Sequence, residues 1–188
     1  MIVLNMFDYL VDTPNAQKRH YSKEVVFAGN LDKSGFLHKG SAPEGGVLLN
    51  VYGKEPETEM DSNWQVYKGK FEAGDISSIE GSWGLVWDGE SIDCLSGKMG
   101  EYLKYNYPHK TSLYVCAGLP VIVPRSSAVA NIVLQENIGI AISSISDISE
   151  EIEKVSEKEY CQMCANLKTI AKKLACGGFL MEAIDKSK

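Results

Sequence analysis

The sequence predicts an α/β fold, a Rossmann-like parallel sheet flanked by helices. Three observations carry this. Short, nearly all-apolar segments rich in β-branched residues recur along the chain, as strands covered on both faces require. Stretches with apolar residues three and four apart lie between several of them and after the last, as amphipathic helices require. With 188 residues, 44% hydrophobic and 23% charged, the chain can bury one well-packed domain, or a domain plus a short appendage, but is too short for two full ones.

Residues 1–22 open with an apolar segment (2–10) and continue into the polar run DTPNAQKRHYSK. This reads as a linker or arm, and 23–188 as the domain proper. EVVFAGN (24–30) is the first strand, ending in Ala28-Gly29-Asn30, where a glycine permits a sharp turn or close approach of a ligand. GGVLLNVYG (45–53), NWQVYKG (63–69) and WGLVWDG (83–89) are the next three strands, with a helix, DISSIEGS, capped by Asp75 before the fourth. MGEYLKYN (99–106) and PHKTSLYVCAG (108–118) are helices, LPVIVP (119–124) a strand, SAVANIVLQENIG (127–139) a helix and IAISS (140–144) a strand. Beyond Asp147, Ile148, Ile152, Val155, Met163, Cys164, Leu167, Ile170, Ala171 and Leu174 mark two amphipathic helices ended by Gly177-Gly178. Those helices either cover the sheet or offer a docking or oligomer face, and a homo-oligomer is expected.

The net charge of −6 argues against nucleic acid or an anionic membrane as the main partner. Any bound anion must therefore be met locally. Five cysteines, at 94, 116, 161, 164 and 176, suit reduced thiols. The lone Cys161/Cys164 pair inside a helical run reads as packing rather than zinc or redox chemistry. Three scattered histidines suggest no metal site, and no cofactor is expected. No run reaches the roughly 18 apolar residues of a membrane span, and the first residues lack a secretory signal. A cytoplasmic protein is expected.

In a parallel sheet the ligand lies beyond the carboxyl ends of the strands. That rule nominates the loops at 29–33, 52–54, 68–70, 88–89 and 124–127. The start of the helix at 108 is a further candidate. Pro108 fits a first turn, so free amides gather around His109 and Ser112, and Lys110, Thr111 and Ser112 add a charge and donors. Diphosphate is the natural guest; the alternative is simple capping beside a solvated Lys110. Gly29, Asn30 and Lys33 either meet a phosphate or cap a helix, with Asp32 at or near the cap. Tyr52 and Gly53 either approach the ligand or pack. Ser126 and Ser127 either donate to phosphate or cap, Lys68 and Lys70 read as surface charges, and Trp83 and Trp87, on one face of their strand, as core or interface.

The segments FAGNLDKSGFL (27–37), YG (52–53), YKGKF (67–71), GSWGLVWDG (81–89), GEYLKYNYPHK (100–110) and AGLPVIVP (117–124) resemble the carboxy-terminal half of GT-B glycosyltransferases. They are most similar to bacterial galactofuranosyltransferases and to glucosyltransferases that extend GlcNAc on serine-rich-repeat adhesins. The resemblance implies one half of a GT-B fold, with 1–22 joining two Rossmann-like domains and 23–188 binding a nucleotide-sugar donor, expected to be UDP-glucose or another UDP-hexose. Asn106 and His109 then join Lys110 as site residues, and Lys110 is expected to be catalytic. A glycan or glycoprotein acceptor is expected on an amino-terminal domain outside this chain, together with the catalytic base.

One departure from the wider group stands out. Retaining GT-B enzymes carry two glutamates eight residues apart before the A-x-G-x-P-V segment, and the matching places here hold Tyr105 and Leu113. An inverting transferase is therefore expected, with Lys110 neutralising the departing diphosphate. There is no Asp-x-Asp, so metal independence is expected. Two other readings stay open: a non-catalytic subunit or scaffold that holds a partner transferase, and an epimerase-like or phosphorylase-like enzyme acting on a nucleotide sugar.

Overall fold

The computed structural model describes residues 4, 6–14, 17–39, 41–57, 59–61, 63–72 and 74–188. The apolar segment predicted at 2–10 is thus covered in part; Ile2, Val3 and Asn5 lie outside the described residues. Six strands form one sheet: β1 (Glu24–Ala28), β2 (Leu48–Tyr52), β3 (Gln65–Gly69), β4 (Trp83–Leu85), β5 (Val121–Pro124) and β6 (Gly139–Ile142). Every neighbouring pair is parallel, in the order β3-β2-β1-β4-β5-β6. The helices are α1 (Phe36–Lys39), α2 (Gly97–Leu103), α3 (His109–Cys116), α4 (Ala130–Gln135), α5 (Ile148–Glu153), α6 (Glu157–Ala175) and α7 (Gly178–Asp185). This is the Rossmann-like α/β arrangement that the alternation predicts.

Alternate strand residues face opposite ways, so β1, β2, β5 and β6 each feed two cores. Val26 and Ala28 of β1, Val121 and Val123 of β5, and Ala141 of β6 pack with α3 and α4. Val25 and Phe27, Ile122, Ile140 and Ile142 pack on the other face with Trp83, Trp87, α1 and α5. Both tryptophans are buried, as their spacing on one face predicts. The helix α6 serves both cores: Tyr160 and Met163 enter the second, Leu167, Ala171 and Leu174 the first. It passes the amino-terminal end of β4, where the Tyr160 hydroxyl donates to the Ser82 carbonyl at 2.7 Å. Its start is fixed by a reciprocal cap between Ser156 and Glu159, as the S-x-x-E spacing allows.

Several elements differ from the sequence reading. DISSIEGS forms only a 3-10 turn, Ile76–Ser78, although Asp75 does cap it; the Ser pair and Gly81, at φ 148°, do not propagate a helix. Pro108 is not inside the first turn of α3 but is its cap, with extended ψ of 143°. Two helices were not foreseen, the single turn α1 and the terminal α7. Gly177, at φ 77°, ends α6 as predicted, yet the chain at once resumes as α7. The reason is remote in sequence: the Asp8 carboxylate accepts from the Phe179 and Leu180 amides at 3.1 and 2.8 Å.

The described part of residues 1–22 lies against the domain as a strap. Met6 is fully buried, and the Tyr9 amide donates to Leu174 O at 3.2 Å. Arg19 reaches Ala117 O through two N–H groups at 3.1 and 2.7 Å and Ile79 O at 2.7 Å. A cation on the last carbonyls of α3 is favourable, and those bonds offset a burial that pulls the guanidinium pKa down. Among the described residues no helix is long and apolar enough to cross a membrane.

Candidate functional site

The strand order reverses between β1 and β4, where the chain has built outward one way and starts outward the other. In parallel sheets a ligand belongs at such a reversal, beyond the carboxyl ends of the strands; here the loops that follow β1 and β4 touch there, the Phe36 amide donating to Gly89 O at 3.2 Å. Lys110 reaches this place from the start of α3. Its ammonium is 2.5 Å from Asp88 Oδ1 and 3.2 Å from Trp87 O, both just past β4. It also sits 4.6 Å from the centre of the Phe27 ring on β1, within cation–π range. Burial pulls the Lys110 pKa down, and the Asp88 carboxylate pulls it back in part.

Gly29 explains itself at this spot. A Cβ there would come within 2.9 Å of Lys110 Cε, so a side chain at 29 would push the lysine tip aside. The neighbouring Gly53 has a different reason: a Cβ would lie 2.4 Å from the Gly29 carbonyl oxygen. The exits of β1 and β2 therefore touch, with the Gly29 amide donating to Tyr52 O at 3.0 Å. Beside them opens a cleft of about 290 Å³ lined by Gly29, Gly53, Lys54, Lys70, Phe71 and Leu113, among others. Lys70, read from the sequence as a surface charge, borders it.

The remaining predicted residues divide. Lys110, Gly29 and Gly53 converge at the carboxyl edge. Tyr52 also borders the cleft, but its ring is buried against Phe71 and its hydroxyl accepts from the Glu80 amide at 2.9 Å. Asn30 caps the 3-10 turn Leu31–Lys33 through its side-chain oxygen, and Asp32 lies in that turn rather than at the cap; Lys33 is exposed there. His109 is exposed and stacks on Phe7 of the strap, ring centres 4.6 Å apart. Ser112 is buried and donates to Phe7 O at 2.6 Å, so its hydroxyl holds the strap. Ser127 donates to Pro124 O at 2.6 Å and closes the turn after β5. Asn106 follows α2, half-buried, its amide bonded to Tyr102 O. Thr111 Oγ1 is buried with no partner among the described residues.

Sequence reasoning missed Asp88 and Phe27 as the surroundings of Lys110. The loop at 88–89 was nominated by the carboxyl-end rule, but nothing local in WDG says which lysine it meets. Among the described residues no three His, Cys, Asp or Glu side chains cluster closely enough to hold a metal ion.

A family model described as "Glucosyltransferase 3-like, C-terminal domain" matches residues 25–187. The chain belongs to that family. The chain is 31% identical, over 97% of its length, to the β-1,6-galactofuranosyltransferase WbbI of Escherichia coli (strain K12). It is 25% identical over 95% of its length to glucosyltransferase 3 of Streptococcus gordonii, and 22% identical over 99% to that of Streptococcus parasanguinis. The chain spans about half the length of these curated relatives, 55%, 52% and 53% respectively.

Proposed function

We propose that this chain is the donor-binding half of an inverting, metal-independent glycosyltransferase that uses a UDP-hexose and acts in the cytoplasm. The observation that carries the reading is the Lys110 ammonium at the strand-order reversal, beside an open cleft. An anion there meets a positive charge in a partly dry setting, where the attraction exceeds its value in bulk water. Family membership supports the transferase class, and the names of the relatives support a hexose donor.

In the proposed reaction an acceptor hydroxyl attacks the anomeric carbon of the donor sugar, and the bond from that carbon to the diphosphate oxygen breaks. The electron pair stays on the diphosphate, and Lys110 meets the charge that develops there. Deprotonating the acceptor needs a general base, which the proposal assigns to an acceptor-binding part beyond this chain. Positioning of the glycan or glycoprotein acceptor is assigned to the same part.

The test is titration of the 188-residue chain with UDP, GDP and their sugars, read by NMR shifts or calorimetry. Binding of UDP is expected, and Lys110→Ala should weaken it by roughly tenfold to a hundredfold, the effect of losing one hydrogen bond to a charged group. UDP leaving both spectrum and melting temperature unmoved would remove the assignment. A second reading, a non-catalytic subunit, draws on the same ion pair, since Asp88 and Lys110 together close the strand ends without any ligand. Absence of nucleotide affinity together with a stable complex with another transferase is the outcome it expects.

A further inference from the structure

Nine ion pairs join described residues, and in eight of them at least one side chain is more than half exposed. The exception is Lys110 with Asp88, at 16% and 18% exposure. Such a pair has lost much of its hydration, so its geometry matters more than that of a surface pair. The turn that carries Asp88 is also fixed. Gly89 has φ of 116°, and a Cβ on it would lie 2.5 Å from Ser96 O, so only glycine fits between the end of β4 and the start of α2. Gly89 O in turn accepts from the Phe36 amide at 3.2 Å.

A lysine ammonium has three N–H donors. Asp88 Oδ1 and Trp87 O take two, and the third has no acceptor among the described residues. The Phe27 ring and the bare Gly29 backbone border the same ammonium.

We infer that Asp88 is a positioning residue for Lys110, holding its ammonium at the carboxyl ends of β1 and β4 with one donor left for an arriving phosphate oxygen. The inference rests on the reading of Lys110 as the diphosphate partner. Asp88 itself touches no substrate in this scheme; it acts through the lysine. The groups facing the ammonium are few. The loop after β4 brings Asp88 and the uncharged Trp87, and β1 brings Phe27 and Gly29. On α3, the Tyr114 phenol is near enough to feel Asp88, and burial keeps it protonated and neutral; it accepts from the Ala28 amide at 2.8 Å. Asp88 is thus the one negative charge that opposes the desolvation of Lys110.

The sign follows. Burial lowers the Lys110 pKa and Asp88 raises it, so replacing the carboxylate by a neutral amide leaves burial unopposed. More of the amine is then neutral at any given pH, and phosphate binding fades at a lower pH. The experiment is acylation of the chain with acetic anhydride across pH, read at Lys110 by peptide mass spectrometry, with Lys54 and Lys70 as internal standards. Asp88→Asn is expected to raise Lys110 labelling several-fold relative to the two standards, because the amine loses the charge that opposes its burial. Asp88→Glu should return it towards the parent rate. A folded Asp88→Asn chain that labels at the parent rate overturns the inference.

A second measurement reads the charge directly. The Lys110 Cε resonance of the Asp88→Asn chain should move towards that of a neutral amine relative to the parent at the same pH, and an unmoved resonance also overturns the inference. UDP titration at pH 7 and 9 separates the two readings. With Asp88→Asn the affinity should fall several-fold more across that interval than in the parent. If the parent binds no UDP at either pH, the proposed function fails, while labelling and resonance still decide what Asp88 does to Lys110.

Discussion

At the scale of single residues, the site depends on atoms that finish a strand. The strand β4 pairs with β1 only along Val25 and Val26, so the Ala28 amide near the end of β1 has no strand acceptor on that side. The Tyr114 hydroxyl supplies one at 2.8 Å from within α3. Tyr114→Phe should leave that buried donor unpaired and cost about 1–3 kcal/mol, measured by urea denaturation. An unchanged midpoint would mean that water reaches the amide. In the sequence Tyr114 is only one residue of the helix predicted over 108–118. Its role at the strand end comes from the packing of α3 over β1.

At the scale of elements, α7 shows how far a local signal can mislead. Gly177-Gly178 reads as a stop, and for α6 it is one. The helix that follows has no side chain of its own to cap it, and Asp8, about 170 residues away, does so instead. Asp8→Ala should therefore speed amide exchange in α7, with a loss of about 1 kcal/mol typical of a missing cap, while amides of α3 keep their protection. Equal loss of protection in both helices would show that the strap, rather than the cap, is what Asp8 supports. Leu180, Met181 and Ile184 of α7 are about half exposed, whereas α6 buries its stripe as its three-and-four spacing predicts. Of the two uses foreseen for the carboxy-terminal helices, α6 fills the sheet-covering one.

For the whole molecule, the buried acids set the response to alkali. Burial pushes the Cys116 thiol up to about 12 from an ordinary 9.0 and raises the Tyr114 and Tyr160 phenols too. Each ionises more readily unfolded than folded. Stability from these groups is complete below their unfolded pKa values and is lost as pH rises, for Cys116 between about 9 and 12. The thiol alone costs up to about 1.4 kcal/mol per pH unit in that range. Lys110 and Arg19, with their lowered pKa values, act in the opposite direction, but the raised acids, which also include Tyr9, Tyr52 and Cys164, outnumber them. The melting temperature should therefore fall steadily above pH 9. Alkylation of Cys116 should track global unfolding, while the exposed Cys94, Cys161 and Cys176 react in the native state. Early labelling of Cys116 would point to local opening of α3.

By itself the sequence determined the alternation of strands and helices and the two-sided burial of most strands, and it nominated the carboxyl edge of the sheet for a ligand. These follow from local periodicity and from the handed, parallel connections that such a pattern permits. It also singled out Lys110 at the head of a helix. Only the tertiary structure decided that Lys110 meets Asp88 and Phe27, that Ser112 and Ser127 hold backbone carbonyls, and that Asp8 caps α7. Each of those contacts joins chain segments through space, and side-chain partners at such range leave no mark in spacing or composition.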